Sequence, residues 1–176
     1  MIFEEIKLKG AYRIELEQKQ DERGFFARSF CQDEFRKHGI DFGIVQCNIS
    51  FNKEKGTLRG MHYQIDPYEE AKLISCVRGA IYDVIIDLRK DSVTYCQWYA
   101  SELTEEDYRM LYVPKGFAHG YQTLKINSVV SYQVSEFYHP GLEKGLRWND
   151  PSIGIRWPLK PKIISNKDLK LLDFVK

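Results

Sequence analysis

The chain has 176 residues, 43% hydrophobic and 14% aromatic, enough apolar surface for one buried core and too much for a disordered segment. Its 26 Lys and Arg offset 25 Asp and Glu, for a formal charge of +1 with both signs mixed throughout. That balance excludes a general nucleic-acid binder, which needs a basic block against the phosphate backbone, but it leaves room for a small anion held by a few cations.

Residues 2–17 alternate weakly and are rich in Ile, Leu and Tyr, the pattern of one or two edge strands. Asp21–Phe26, DERGFF, reads as a charged hairpin turn running into two aromatics. Residues 32–38, QDEFRKH, read as a short helix stopped by Gly39. Short β runs follow at Ile44–Phe51, Leu58–Gln64, Lys72–Arg78, Ala80–Leu88, Gln97–Leu103, Arg109–Val113, Ala118–Leu124 and Ser128–Phe137. Gly, Pro, Asn and Asp signals separate them at the spacing of an all-β sandwich or barrel. The run from Ile81 to Asp87 is nearly continuous and β-branched, as in a strand covered on both faces. Asp83 and Asp87 interrupt it, and each must close structural hydrogen bonds or serve a cavity. Tyr132, in VVSYQVSE, is placed on the face opposite Val130 and Val134. In the tail, Ser165–Asp168 forms an S-x-x-D box before the apolar run Leu169–Val175, which predicts a capped C-terminal helix packed across the barrel. The whole chain, 1–176, is expected to form a single domain.

The four cysteines, Cys31, Cys47, Cys76 and Cys96, lack C-x-x-C spacing. This argues against zinc and for free thiols in a cytoplasmic protein. The start, MIFEEIKLKG, has no long apolar run, so neither a leader nor a membrane span is expected.

Two stretches organise the chain. GTLRGMHYQ (56–64) has the spacing G-x5-H-x-Q, and PKGFAHG (114–120) reads P-x-G-x-x-H. Each is a glycine-bounded turn that leads into a β run and delivers one histidine, His62 or His119. A lone histidine is usually structural, but two with matched surroundings point to facing strands with polar groups in one cavity.

With DERGFF, VQCNIS (45–50), AKLISCVRG (71–79), YDVIIDLRKDS (82–92), EFYHP (136–140), RWNDPSIGIRWP (147–158) and SNKD (165–168), these stretches resemble the dTDP-4-dehydrorhamnose 3,5-epimerase family over almost the whole chain. The resemblance implies an all-β, cupin-type jelly-roll barrel with a few short helices, including a C-terminal one. It also implies a homodimer without metal or cofactor, acting on a nucleotide-linked 4-keto-6-deoxyhexose. Such an enzyme removes a proton beside a ketone, holds an enolate and returns a proton to the opposite face. By the resemblance, His62 with Asp168 is the base, Tyr132 the acid and Lys72 the oxyanion stabiliser, with His119 in the same pocket. Arg23 and Arg59 fall on the diphosphate, Gln46, Asn48, Glu143 and Lys167 on the nucleotide sugar, and Tyr138 on the base. Phe26 is expected to reach the neighbouring subunit's site from the N-terminal segment.

One position departs from the pattern. Arg28 stands where the family carries a glutamate near thymine, in GFFARSF. A pure donor suits a base rich in acceptors, so CDP becomes an alternative nucleotide to dTDP. The rival functions are a ketoisomerase of the same fold, a metal-dependent cupin and a non-catalytic sugar-binding barrel. A metal site would want a second histidine at position 64, where the chain has Gln64.

Overall fold

The structure, a computed structural model, describes residues 1–175. In chain order it contains β1 (Ile2–Glu5), β2 (Tyr12–Glu15), β3 (Lys19–Asp21), β4 (Gly24–Phe26), α1 (Gln32–Lys37), β5 (Gln46–Asn52), β6 (Thr57–Gln64), β7 (Lys72–Arg78) and β8 (Ala80–Asp87). Then come β9 (Trp98–Thr104), β10 (Met110–Val113), β11 (Phe117–Thr123), β12 (Ser128–Val134), β13 (Glu143–Gly145), β14 (Ile163–Ile164) and α2 (Asn166–Leu169). One sheet runs β1-β2-β10-β7-β12-β5, a second runs β13-β6-β11-β8-β9 with β14 added beside β6, and β3-β4 is a separate hairpin. The two large sheets make a cupin-type jelly roll. The eight β runs read from the sequence all form strands, with ends shifted by at most three residues. Among the described residues, no helix is long and apolar enough to cross a membrane.

The alternating side chains divide the apolar residues among three packed layers. Ile74, Ile81, Ile85, Leu111, Phe117 and Val130 fill the space between the sheets. Phe35, Phe42, Tyr112 and Leu73 pack on the outside of the first sheet. Met61, Val84, Ile86, Ala118 and Leu146 pack on the outside of the second, under Trp157 and Phe174. β8 therefore buries Ile81 and Ile85 on one face and Val84 and Ile86 on the other, as its nearly continuous apolar run predicts. Helix α1 lasts less than two turns. Gly39 takes a positive φ of 72°, and the Gly39 and Ile40 N–H groups close on the Arg36 and Phe35 carbonyls at 2.9 and 3.0 Å.

Two expectations need correction. Residues two apart on a strand share a face, so Tyr132 points inward with Val130 and Val134, not away from them. It lines a cavity together with Val134 and packs against the inter-sheet layer containing Val130. The C-terminal helix is also a single turn that ends at Leu169 instead of covering the run Leu169–Val175. The tail beyond it lies along the segment after β13. Arg147 N–H bonds the Leu172 carbonyl at 2.9 Å, Leu171 covers Gly145, and Phe174 joins the outer layer. Helical continuation would pull both apolar side chains off that surface.

Asp87 at the end of β8 is structural. It accepts hydrogen bonds from the Arg89 backbone and guanidinium at 2.7–3.0 Å and from the Ser92 and Thr94 hydroxyls at 2.5 and 2.6 Å. Burial alone would raise its pKa, but these donors overcome burial and bring it down to about 2. The bonds therefore stabilise the fold fully above the ordinary carboxylate range near pH 4, and the contribution disappears as pH falls toward 2. Replacing Asp87 by Asn is expected to cost about 2 kcal/mol at neutral pH, and the gap from the parent should narrow between about pH 4 and 2. Urea midpoints of both proteins across that range measure it.

Candidate active site

The two sheets enclose a cavity of about 660 Å³. Its walls carry Gln46, Asn48, Arg59, His62, Lys72, His119, Tyr132, Tyr138, Glu143, Lys167 and Asp168, together with Gln64, Glu70 and Tyr121. Strand alternation explains most of this set. Gln46, Asn48 and Ser50 face inward from β5 opposite Val134, Tyr132 and Val130 of β12.

Arg59 and His62 break that rule, since residues three apart should face opposite sides. The strand pairing resolves it. His119 of β11 pairs with His62, and Tyr121, two residues on, pairs with Arg59, so β6 carries one extra residue. The bulge lies at Gly60-Met61. Gly60 has φ +107°, and a Cβ there would lie 2.7 Å from the His119 carbonyl and the Gly120 Cα. A Cβ on Gly120 would meet the Arg59 carbonyl at 2.6 Å. Glycine on both strands permits the close approach, and the extra residue swings Arg59 and His62 into one chamber while Met61 stays in the outer layer.

Asp168 reaches this point from 106 residues away. Strand β14 pairs parallel with the start of β6, through Ile163 with Thr57 and Ile164 with Leu58, so the following turn lands beside the bulge. Ser165 caps that turn, its hydroxyl accepting the Asp168 N–H at 3.1 Å. Asp168 does not complete a capping box. Its carboxylate instead takes His62 Nε2 at 2.7 Å and the Gly60 N–H at 3.3 Å. A carboxylate only accepts, so Nε2 carries the proton, and Nδ1, 3.8 Å from Glu143 Oε1, is the unprotonated nitrogen of the neutral ring. Burial would raise the Asp168 pKa, but His62, the Gly60 N–H and the Ser165 side chain hold it below the usual carboxylate value.

His119 is matched in the same way. Its Nε2 contacts Asp83 Oδ1 at 2.7 Å, deep in the inner layer. Burial pushes the Asp83 carboxyl up, opposed by His119 and Lys72, and its Oδ2 has no hydrogen-bond partner among the described residues. Lys72 bonds Glu70 at 2.6 Å, and Lys167 bonds Glu143. Tyr138 lies at the rim, with its hydroxyl 3.4 Å from Glu143. Gln64 is committed to the loop above, donating to the Tyr68 and Phe137 carbonyls and accepting the His139 N–H. Arg59 is different. It donates to the Asn52 side chain at 2.8 Å and the Phe51 carbonyl, and it is the one Lys or Arg on the wall without a carboxylate among the described residues. Its charge is open to an anion. Tyr132 is held above the usual phenol range, mainly by burial and then by Glu70, with Arg59 opposing.

Arg23 and Arg28, expected at the site, are not on its wall in this chain, and neither is Phe26, which was expected to reach the neighbouring subunit's site. Arg23 pairs with Asp21 on the hairpin, and Phe26 stands 72% exposed on β4. Arg28 bonds Glu34 at 2.6 Å beside the N-terminus. Glu70 and Tyr121, which are on the wall, were not singled out by the sequence. Glu70 sits in an ordinary charged loop, and Tyr121 is legible only once the register of β11 is known.

A jelly roll whose cavity carries two carboxylate-paired imidazoles, a phenol and an ammonium group defines the class: a cupin-type barrel with a polar site for a small molecule. The sequence model described as dTDP-4-dehydrorhamnose 3,5-epimerase matches residues 5–176. An enzyme of that name from Sinorhizobium fredii is 41% identical over 169 residues, covering 96% of this chain and 87% of its own. The Bacillus anthracis dTDP-4-dehydrorhamnose 3,5-epimerase, solved with TDP and PPi bound, is 41% identical with a TM-score of 0.95, over 98% of this chain and 99% of that one. The Legionella pneumophila dTDP-6-deoxy-D-glucose-3,5-epimerase, solved with dTDP-4-keto-L-rhamnose, has a TM-score of 0.91 at 35% identity, over 98% and 92%. The chain belongs to the dTDP-4-dehydrorhamnose 3,5-epimerase family and is an isomerase.

Asp168→Ala would leave the His62 and Gly60 donors without an acceptor, and about 2 kcal/mol of stability should be lost. Ser165→Ala removes only the cap and should cost about 1 kcal/mol. Urea denaturation of the two variants checks that order, which reverses if Asp168 is merely a helix residue.

Proposed function

We propose that the protein inverts C3 and C5 of a dTDP-linked 4-keto-6-deoxyhexose, with no metal or cofactor. The observation that carries this reading is the one chamber shared by the His62–Asp168 pair, Tyr132 and Lys72, with His62 and Tyr132 coming from opposite sheets. His62 takes the proton beside the ketone through Nδ1, and Asp168 balances the imidazolium that forms. Lys72 stabilises the enolate oxygen, and His119, backed by Asp83, donates into the same space. Tyr132 returns the proton from the other face. Burial keeps it a phenol at cellular pH, which is the form an acid must have.

Arg59, the wall cation without a carboxylate, binds the diphosphate. Gln46, Asn48, Glu143 and Lys167 hold the nucleotide sugar, and Tyr138 stacks at the rim. For the hairpin we propose a homodimer in which Arg23, Phe26 and Arg28 serve the site of the partner protomer. The bare outer face of β5, where Ile49 is 75% exposed beside Phe51, supports a covered surface there. CDP was an alternative because Arg28 looked like a free donor. Its guanidinium is already engaged by Glu34, which sets a carboxylate beside it, and dTDP is the better reading. The expected location is the cytoplasm, where nucleotide sugars are made.

In heavy water the protein should place deuterium at C3 and C5 of the dTDP-linked ketosugar. His62→Ala should abolish that exchange. Tyr132→Phe should keep proton removal but slow formation of the inverted sugar about 100-fold. NMR of the sugar reads all three, and calorimetry should find dTDP bound more tightly than CDP. A protein that binds dTDP but exchanges nothing is a binding barrel and not an enzyme.

A further inference from the structure

Glu70 is the chamber carboxylate to which neither the glycine turns nor the family resemblance gives a role. It lines the cavity and accepts from the Lys72 ammonium at 2.6 Å, with both side chains nearly enclosed, 13% and 10% exposed. The pair is clamped from behind. Ala71, between them, donates its N–H to the Ser135 hydroxyl at 2.8 Å and accepts the Ser135 N–H at 3.0 Å. Residues on either side of one position in an extended segment share a face, so fixing Ala71 turns Glu70 and Lys72 together into the chamber.

Ser135 directly follows β12, the strand that carries Tyr132 and pairs with β7 through Val134 and Lys72, so the clamp extends that ladder one step past the ammonium. A lysine stem is flexible, and an ammonium left loose must be ordered as charge develops on the substrate. A carboxylate that already holds it removes that reorganisation from the reaction. An ammonium has three N–H donors, of which Glu70 uses one.

We propose that Glu70 is a positioning residue: it fixes the Lys72 ammonium beside Tyr132 before the sugar enters, leaving two donors for the ketone oxygen. The assignment rests on the epimerase reading above. Unlike Lys72, Glu70 acts through a neighbour, so its whole effect should pass through Lys72.

A double-mutant cycle on deuterium exchange into the dTDP-linked ketosugar tests this. Glu70→Met keeps the volume and removes the strong acceptor, and Glu70→Gln keeps an oxygen acceptor. Glu70→Met should lower kcat about tenfold with KM and dTDP affinity nearly unchanged, and Glu70→Gln should recover most of the rate. In a Lys72→Ala background, Glu70→Met should change the rate by less than about twofold. If Glu70→Met does not fold, Glu70→Ala serves the same comparison. Equal losses in both backgrounds overturn the proposal, as does a loss of dTDP affinity that matches the loss of rate. A parent protein that exchanges no proton overturns the epimerase reading, and the proposal with it.

Discussion

Everything in the chamber depends on two strands passing closer than any side chain allows. Gly60 and Gly120 meet backbone to backbone where β6 carries its extra residue. That one bulge brings Arg59 and His62 to the same side, three residues apart on a strand that would otherwise separate them. It also turns the Gly60 N–H toward Asp168, so the distortion that aims the imidazole helps hold the carboxylate that orients it. A β-sheet normally distributes polar groups between two faces, and here a local irregularity concentrates them on one.

The charges around that point follow a consistent plan. Burying an ionisable group is costly without a partner, and the wall supplies partners in pairs. His62 has Asp168, His119 has Asp83, Lys72 has Glu70 and Lys167 has Glu143. Among the described residues Arg59 is held only by neutral oxygens, which leaves its charge unneutralised. The pairing separates the tasks physically: unneutralised charge suits a diphosphate, while neutralised and oriented groups suit proton transfer on a sugar.

Much of this was legible in the sequence, for reasons that differ by residue. The strands were readable because alternation and turn signals are local, as in the β-branched run of β8 and the glycine that ends α1. The two histidine turns were readable because glycines marked the bends. What could not be read depended on pairing between distant segments. S-x-x-D looks like a cap, and Ser165 is one, but only β14 alongside β6 shows that Asp168 turns away to His62. The tail looked helical because its apolar content does not reveal that Leu171 and Phe174 already have a surface to cover. Glu70 was missed, and the Glu34 partner of Arg28 was not visible, because a charged side chain in a loop gives no sign of its partner until the chain is folded.

The epimerase reading needs a base and an acid on opposite faces of a single sugar ring. A crystal structure with the dTDP-linked 4-keto-6-deoxyhexose bound tests it most directly. His62 Nδ1 and the Tyr132 hydroxyl should lie on opposite faces of the ring, each about 3–3.5 Å from a carbon beside the ketone, with Lys72 on the ketone oxygen. A ring with both groups on the same face, or with the ketone turned away from Lys72, would contradict it.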